Sequence, residues 1–317
     1  MDITVTINPS VDRLYQLDHL EIGELNRVQL VKKMVGGKGI NAARVAACLG
    51  AETIATGFLA GPNGQYILDQ AKNDRYTCKF ITTKGNTRNC YTIIQNNGEK
   101  TEINEQGDRL ALSSMDNLLA SLSSLIVKHN VTAISLNGSV PPTNMQHIYS
   151  KIITSIRRLA PQVKIVLDTS GQALTEVLQS TALPDFIKPN EQEAAELLAA
   201  PVTRDCQKLK REIRASSLNK IANIIISLGD RGALVKHHDD FYRVNFKPVE
   251  VANTEGSGDS VVGGLLYALD RKYDFKQAIS LAIAAGTANA METKTGFVKR
   301  EQVLAIMNTI AITKLDN

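Results

Sequence analysis

From residue 110 onward, helical periodicity alternates with short apolar runs, and this rhythm restricts the possible folds more than any other feature of the chain. Residues 115–128 have amphipathic helical spacing and precede a strand-like run at 133–136, and helical 145–159 precedes strand-like 163–168. Later come strand-like 186–188, helical 191–199 and strand-like 224–228. Strands separated by helices pair in parallel, because a parallel connection needs a long crossover. The pattern predicts an α/β core with a mostly parallel sheet.

The first third reads differently. A first strand at 3–7 ends at Asn8-Pro9-Ser10, and looser alternation follows through Leu14, Tyr15, Leu17, Leu20, Val28, Leu30 and Val35. Strand-like stretches at 88–95 and 100–104 flank Asn96-Asn97-Gly98, a hairpin signal. These pieces predict a small β sheet over a pocket. Composition narrows the function classes. With 43% hydrophobic residues in 317, the chain can bury a large core. A net charge of +4, no concentrated Lys/Arg tract, no Trp and 5% aromatic residues argue against a nucleic-acid partner. Cys48, Cys78, Cys90 and Cys206 lack metal-ligand spacing and read as small hydrophobes in a reducing cytoplasm. No long uncharged apolar span suggests a signal peptide or a membrane helix, so no membrane partner is expected.

Two glycine-rich segments carry the chemistry. Gly256-Ser257-Gly258-Asp259-Ser260 opens the apolar run 261–269, which reads as a turn entering a helix. Backbone N–H groups there can converge on phosphate oxygens, aided by the helix dipole, while Asp259 accepts a proton. The same residues alone could simply cap a helix. Gly36-Gly37-Lys38-Gly39-Ile40-Asn41 stands between a strand-like stretch at 28–35 and helix-like 42–49. It is not a nucleotide P-loop, because the spacing before the lysine is short and no Ser or Thr follows. It is not a dinucleotide fingerprint either, since the next acid, Glu52, comes too early. Binding of sugar hydroxyls fits better, with a close helix–strand contact as the plainer use of the glycines.

Polar residues recur where strands are expected to end, the edge that carries ligands in open α/β sheets. They are Asp12, Asn137-Gly138-Ser139, Lys188-Pro189-Asn190-Glu191 and Ser227-Leu228-Gly229. Each alone suits a turn or a cap. Asn190 and Glu193, three apart on a helix, can share one side for a hydrated metal or a phosphate.

In combination, these motifs resemble the ribokinase-like carbohydrate kinases, in their phosphosugar branch. The likeness spans nearly the whole chain: Asn8-Pro9-Ser10-Val11-Asp12, the Gly36–Asn41 segment, Thr87-Arg88-Asn89-Cys90, Thr101-Glu102-Ile103-Asn104, Gly138-Ser139-Val140-Pro141-Pro142, Lys188-Pro189-Asn190-Glu191 and Gly256-Ser257-Gly258-Asp259. The resemblance implies a three-layer α/β/α core in one domain, 1–317, with a discontinuous β lid at about 12–35 and 87–105 that supports a homodimer. It implies Asp259 as base and Gly256, Ser257 and Gly258 as the anion hole. Asp12, Gly37, Lys38 and Asn41 fall at sugar positions. Arg88, Asn137 and Ser139 are placed for the phosphate already on the sugar, which Arg27 could reach from a neighbouring subunit. Lys188, Asn190, Ser227, Gly229, Gly232 and Asn289 fall on the nucleotide side, with Mg²⁺ organised through water by Asn190 and Glu193. The implied reaction is phosphorylation of a ketohexose monophosphate by ATP, with tagatose 6-phosphate favoured. Fructose 1-phosphate is the alternative acceptor, and a sugar-phosphate sensor without turnover the alternative class. Glu255 departs from the branch, placing a negative charge beside the anion site.

Overall fold

The computed structural model describes residues 1–201 and 205–316; positions 202–204 and 317 of the expected 1–317 span lie outside them. β1 (Asp2–Thr6) enters the larger sheet, β2 (Ser10–Leu17) and β3 (Gln29–Gly36) leave it for the lid, and α1 (Lys38–Leu49) returns the chain to β4 (Thr53–Leu59). α2 (Gly61–Ala71) and the short β5 (Thr77–Cys78) and β6 (Ile81–Thr82) lead to the second half of the lid, β7 (Arg88–Gln95) and β8 (Lys100–Asn104). Helix and strand then alternate through α3 (Leu112–Lys128), β9 (Ala133–Asn137), α4 (Ile148–Leu159), β10 (Lys164–Asp168), α5 (Gly171–Leu178), β11 (Phe186–Ile187), α6 (Glu191–Leu198), α7 (Cys206–Ala215) and β12 (Asn223–Ser227). The chain closes with β13 (Ala233–His237), β14 (Asp240–Asn245), α8 (Ser257–Asp270), α9 (Phe275–Ala290), α10 (Arg300–Met307) and β15 (Ala311–Lys314).

The large sheet has the order β15-β14-β13-β12-β11-β10-β9-β1-β4-β5, with β6 also on β4. From β12 to β5 its pairs are parallel, as expected. Both faces of these strands are covered, so each strand reads as an apolar run whose alternate residues enter different cores. Ile134, Leu136, Ile165 and Leu167 pack with Leu122, Ile152 and Leu174 of α3, α4 and α5. Ala133, Val166 and Ile225 face Val45, Leu265 and Ala282 of α1, α8 and α9. The result is helix, sheet and helix in three layers. The antiparallel edge β13–β15 is a feature that the expected strand and helix alternation does not contain.

Two local features position the site. Register places Thr6 beside Asn137, and Asn137 beside Asp168, so these polar side chains share one carboxyl edge. On the second core, α8 is wedged by its own backbone. A Cβ on Gly263 would lie 2.5 Å from the Ala42 carbonyl of α1, and one on Gly264 would lie 2.8 Å from Ala285 Cβ of α9.

The strands assigned to the lid form a separate sheet of order β3-β2-β7-β8. β2 and β7 run parallel at its centre, while both outer pairs are antiparallel. Tyr15 and Tyr91 stack across that centre, their centroids 6.3 Å apart.

Candidate active site

The site forms where the carboxyl edge of the large sheet meets the first turns of α1 and α8. Gly256 caps α8 in the left-handed region, φ 75°, which starts the helix at Ser257 and brings Gly258 and Asp259 into its first turn. N–H groups of a first turn have no intrahelical acceptor and face outward with the positive end of the dipole. Behind them lies Lys188, whose Nζ would be 3.1 Å from a Cβ on Gly258. α1 likewise begins earlier than expected, at Lys38 rather than residue 42. Glycine opposes helix, but at position 39 a Cβ would lie 2.4 Å from Thr6 Oγ1, so close approach to β1 overrides propensity.

Two lysines and three carboxylates make up the centre. Lys38 Nζ lies 3.0 Å from Asp168 Oδ1 and 3.6 Å from Glu193 Oε1, and Lys188 Nζ lies 3.5 Å from Asp168 Oδ1. Asp168 is fully buried; burial pushes its carboxyl up, but Lys188 and Lys38 pull it below the ordinary carboxylate value. Burial also disfavours the Lys38 charge, yet Asp168, Glu193 and Asp259 together hold its pKa above the usual lysine value. Asp259 accepts a hydrogen bond from Asn41 Nδ2 at 2.8 Å. Burial and the Asp168 charge raise its pKa to about 6 against the opposing pull of Lys38, Asn41 and Lys188. A carboxylate poised there can take a proton near neutral pH.

The expected sugar-side residues gather at the root of the lid. Ser10 Oγ donates to Asp12 Oδ1 at 2.7 Å, and Gly36 lies against that carboxylate, where a Cβ would be 2.2 Å from it, so any larger residue there would have to displace the Asp12 side chain. Burial raises the Asp12 pKa. Gly37, at φ 120°, passes Thr6 with 3.0 Å left for a Cβ. Arg88 donates to the carbonyls of Asn8, at 3.3 Å, and Glu105, at 2.9 Å; Asn8 in turn donates to Ser139 Oγ at 3.2 Å. Asn137 is not among these surface-facing groups. It is fully buried, its Nδ2 serves Val5 and Ser135, and it lies beneath Gly39. Arg27 is exposed on the loop between β2 and β3.

Among the residues expected on a nucleotide side, Asn190 and Glu193 form a reciprocal capping box that opens α6: Asn190 Oδ1 accepts from Glu193 N at 2.8 Å, and Glu193 Oε2 accepts from Asn190 N at 2.9 Å. The capping use and the site use coexist, since Glu193 Oε1 still faces Lys38. Ser227 bridges to Asn190, while Gly229 and Gly232 shape the turn into β13. Asn289 is drawn away from a nucleotide-facing wall. It is fully buried and donates to the Glu255 carbonyl at 2.8 Å and to Ser257 Oγ at 3.2 Å, which braces the α8 turn. Glu255 itself pairs with Lys100 of β8, so the unexpected charge ties the lid to the cradle.

Three residues here are absent from the sequence-based set. Asp168 carries the same signal as Asn137, a polar residue ending an apolar strand, and could have been found by it. Arg44 and Asp74, a buried pair 2.8 Å apart behind Asn41, carry no such signal, because they meet across 30 residues of chain.

Known proteins share this sequence pattern and this fold. Residues 6–301 match the pfkB family carbohydrate kinase. A tagatose-6-phosphate kinase of Staphylococcus epidermidis is 38% identical over 99% of this chain and 100% of its own. Among solved structures, a Staphylococcus aureus protein provisionally assigned as a phosphofructokinase superposes with TM-score 0.79 at 29% identity, covering 100% of this chain and 99% of that one. Phosphofructokinase-2 from Escherichia coli in complex with potassium shares the fold, with TM-score 0.83 at 23% identity over 96% and 97% of the two chains. The match along most of the sequence and the near-complete alignment at 38% identity establish the family: the chain belongs to the pfkB carbohydrate kinases.

Proposed function

We propose that this kinase transfers the γ-phosphoryl group of ATP to a ketohexose monophosphate, and that the acceptor is tagatose 6-phosphate, giving tagatose 1,6-bisphosphate. The chemistry rests on one observation, a half-buried Asp259 in the first turn of α8, hydrogen-bonded to Asn41 of the glycine-rich loop. The substrate rests on the 38% identity to a tagatose-6-phosphate kinase along nearly all of both chains. In this reading the substrate hydroxyl gives its proton to Asp259 as its oxygen bonds to the γ-phosphorus, and the bond to the β-phosphate oxygen breaks to release ADP. First-turn N–H groups at Ser257 and Gly258, with Lys38 and Lys188, would hold the charge on the phosphoryl oxygens. Asp12, Gly37 and Asn41 would orient the sugar, and the Asn190–Ser227 edge with Gly229 and Gly232 would carry the nucleotide. ATP as cosubstrate suits a cytoplasmic location.

The donor set also suits magnesium. Among the described residues no three acidic, His or Cys side chains converge on one ion, and Asp168 Oδ2 is buried without a hydrogen-bond partner. Magnesium typically keeps several waters and takes only one or two protein carboxylates besides the phosphates. Asn190 and Glu193 would hold it through water. Once bound, it would supply positive charge to the nucleotide phosphates.

Parallel kinetics with tagatose 6-phosphate, fructose 6-phosphate and fructose 1-phosphate test the assignment. The highest kcat/KM is expected for tagatose 6-phosphate; a clear preference for fructose 1-phosphate overturns it. No bisphosphate from any of the three with Mg-ATP would favour a sensor.

Arg88 would bind the phosphate already on the sugar, since its guanidinium stands beside Asn8, which in turn reaches Ser139, and can make a paired, charge-assisted contact. Arg88→Ala is expected to raise KM for the phosphosugar about tenfold or more, with a smaller change for ATP. Equal losses for both substrates would remove Arg88 from this role.

The lid would act as a discontinuous part of one domain and as a dimer surface. It exposes Leu30 (43%), Val31 (54%) and Ile103 (54%), an apolar face that a thin sheet needs covered. A second copy's lid would cover it, and Arg27 of the partner subunit would then approach the sugar phosphate. Sedimentation at assay concentration should give a dimer, and a fully active monomer would reject this. No described helix is long and apolar enough to cross a membrane.

A further inference from the structure

Arg44 makes none of the substrate contacts proposed above, yet it is only 5% exposed and every bond it makes leads back to the site. Its Nε donates to Asp74 Oδ2 at 2.8 Å, and its Nη1 donates to Asn41 Oδ1 at 2.9 Å and to the Thr295 carbonyl at 3.2 Å. A guanidinium only donates, so Asn41 must present its oxygen to Arg44. The amide nitrogen is thereby left pointing at Asp259 Oδ2, 2.8 Å away. Without that guanidinium, the two ends of the amide could exchange, and an oxygen would face the carboxylate.

A second path runs through the turn that Arg44 holds. Gly296 lies against Asn41, where a Cβ would be 2.7 Å from Oδ1, and Thr295 backs Gly256, where a Cβ would be 2.6 Å from Thr295 Cγ2. The next residue, Phe297, donates its N–H to Asn289 Oδ1 at 3.2 Å, and Asn289 braces Glu255 and Ser257. Asp74 anchors the pair and reaches the same turn through Lys294 at 3.4 Å.

We infer that the Arg44–Asp74 pair is a positioning element for phosphoryl transfer: Arg44, locked by Asp74, fixes the direction of the Asn41 amide and so orients the Asp259 carboxylate. The inference rests on the reading of Asp259 as the base. An ion pair that merely fastens α1 to the neighbouring loop would leave the titration of Asp259 unchanged. The other groups facing Asp259 are Asp168 of β10, Lys38 of α1 and Lys188 after β11, and Arg44 touches none of them.

The test uses Arg44→Lys, which keeps a cation for Asp74 but cannot hold both Asn41 and Thr295, together with Asp74→Asn. Aspartate carboxyl ¹³C NMR, with the Asp259 signal assigned by its loss in Asp259→Asn, follows that group without turnover. In Arg44→Lys the Asp259 midpoint is expected to rise by about one pH unit, since a hydrogen bond to the charged form is lost. The acid limb of kcat should move with it, and kcat should fall about 10–100-fold while both KM values stay within about threefold. Asp74→Asn is expected to shift the same quantities by less, and it decides the matter if Arg44→Lys does not fold. Midpoints within about 0.2 pH units of wild type in the folded variants overturn the inference, whatever happens to the melting temperature. Full turnover in Asp259→Asn would instead defeat the base assignment, while the carboxyl titration still decides whether Arg44 orients that group.

Discussion

Asp259→Asn is expected to lower kcat at least about 100-fold while changing both KM values far less, because the amide keeps the shape of the side chain but cannot accept a proton. The same group should shape the pH profile. With its pKa raised to about 6, the base is lost by protonation as pH falls through that value, so wild-type kcat should decline there and the residual rate of the variant should lack that limb. Near-wild-type turnover in a folded variant, judged by circular dichroism, would exclude Asp259 as base. Stability should move the opposite way. A carboxyl raised from 3.8 to about 6 binds its proton more tightly in the folded chain, so stability falls as pH rises through that window and the cost is fully present above it. Asp259→Asn should therefore melt at a higher temperature than wild type at pH 7.5, with the difference shrinking toward pH 4. An equal or lower melting temperature at pH 7.5 would mean that the carboxylate is better compensated than its surroundings indicate.

Asp168→Asn is expected to act on the fold as well as the site. The carboxylate is fully buried between Lys38 and Lys188, and its loss removes the ion-pair partner of Lys188, itself 5% exposed. Breaking such a pair from one side costs about 3 kcal/mol or more. The folded pKa of Asp168 is lowered, so its contribution is present above the unfolded value and is lost as pH falls through the folded one. Denaturant titrations should show the deficit in full at pH 7 and a much smaller one in strong acid. The Asp168 charge also raises the Asp259 pKa, so the acid limb of kcat should move below its wild-type position. A deficit that persists unchanged in acid, or a limb that does not move, would assign Asp168 to packing alone.

The parallel core was legible because its strands are buried on both faces and its helices on one, which leaves two distinct periodicities. β7 and β8 were legible to the residue because Asn96-Asn97-Gly98 specifies the turn between them. Helix starts were less so. Glycine at 39 and at 258 reads locally as a helix breaker, yet each lies in a first turn: at 39 a Cβ would be 2.4 Å from Thr6 Oγ1, and at 258 it would be 3.1 Å from Lys188 Nζ. In the site, residues that work through their own motif, such as Asp259 and Lys38, were visible. Asn137 and Asn289 were visible as polar residues, but not as buried ones, since whether an amide faces the cleft or the layer beneath it is set by tertiary packing. Asp74 and Arg44 meet only in the folded chain, and no spacing announces them.

The glycine wedge in α8 also bears on where the catalytic cycle can find its moving part. A helix held only by side chains can roll or slide by exchanging rotamers, but at Gly263 and Gly264 α8 lies against the Ala42 carbonyl on one flank and Ala285 on the other, too close for a Cβ. We therefore expect the lid, rather than the helix that carries Asp259, to supply the larger part of any travel that brings the reacting atoms together.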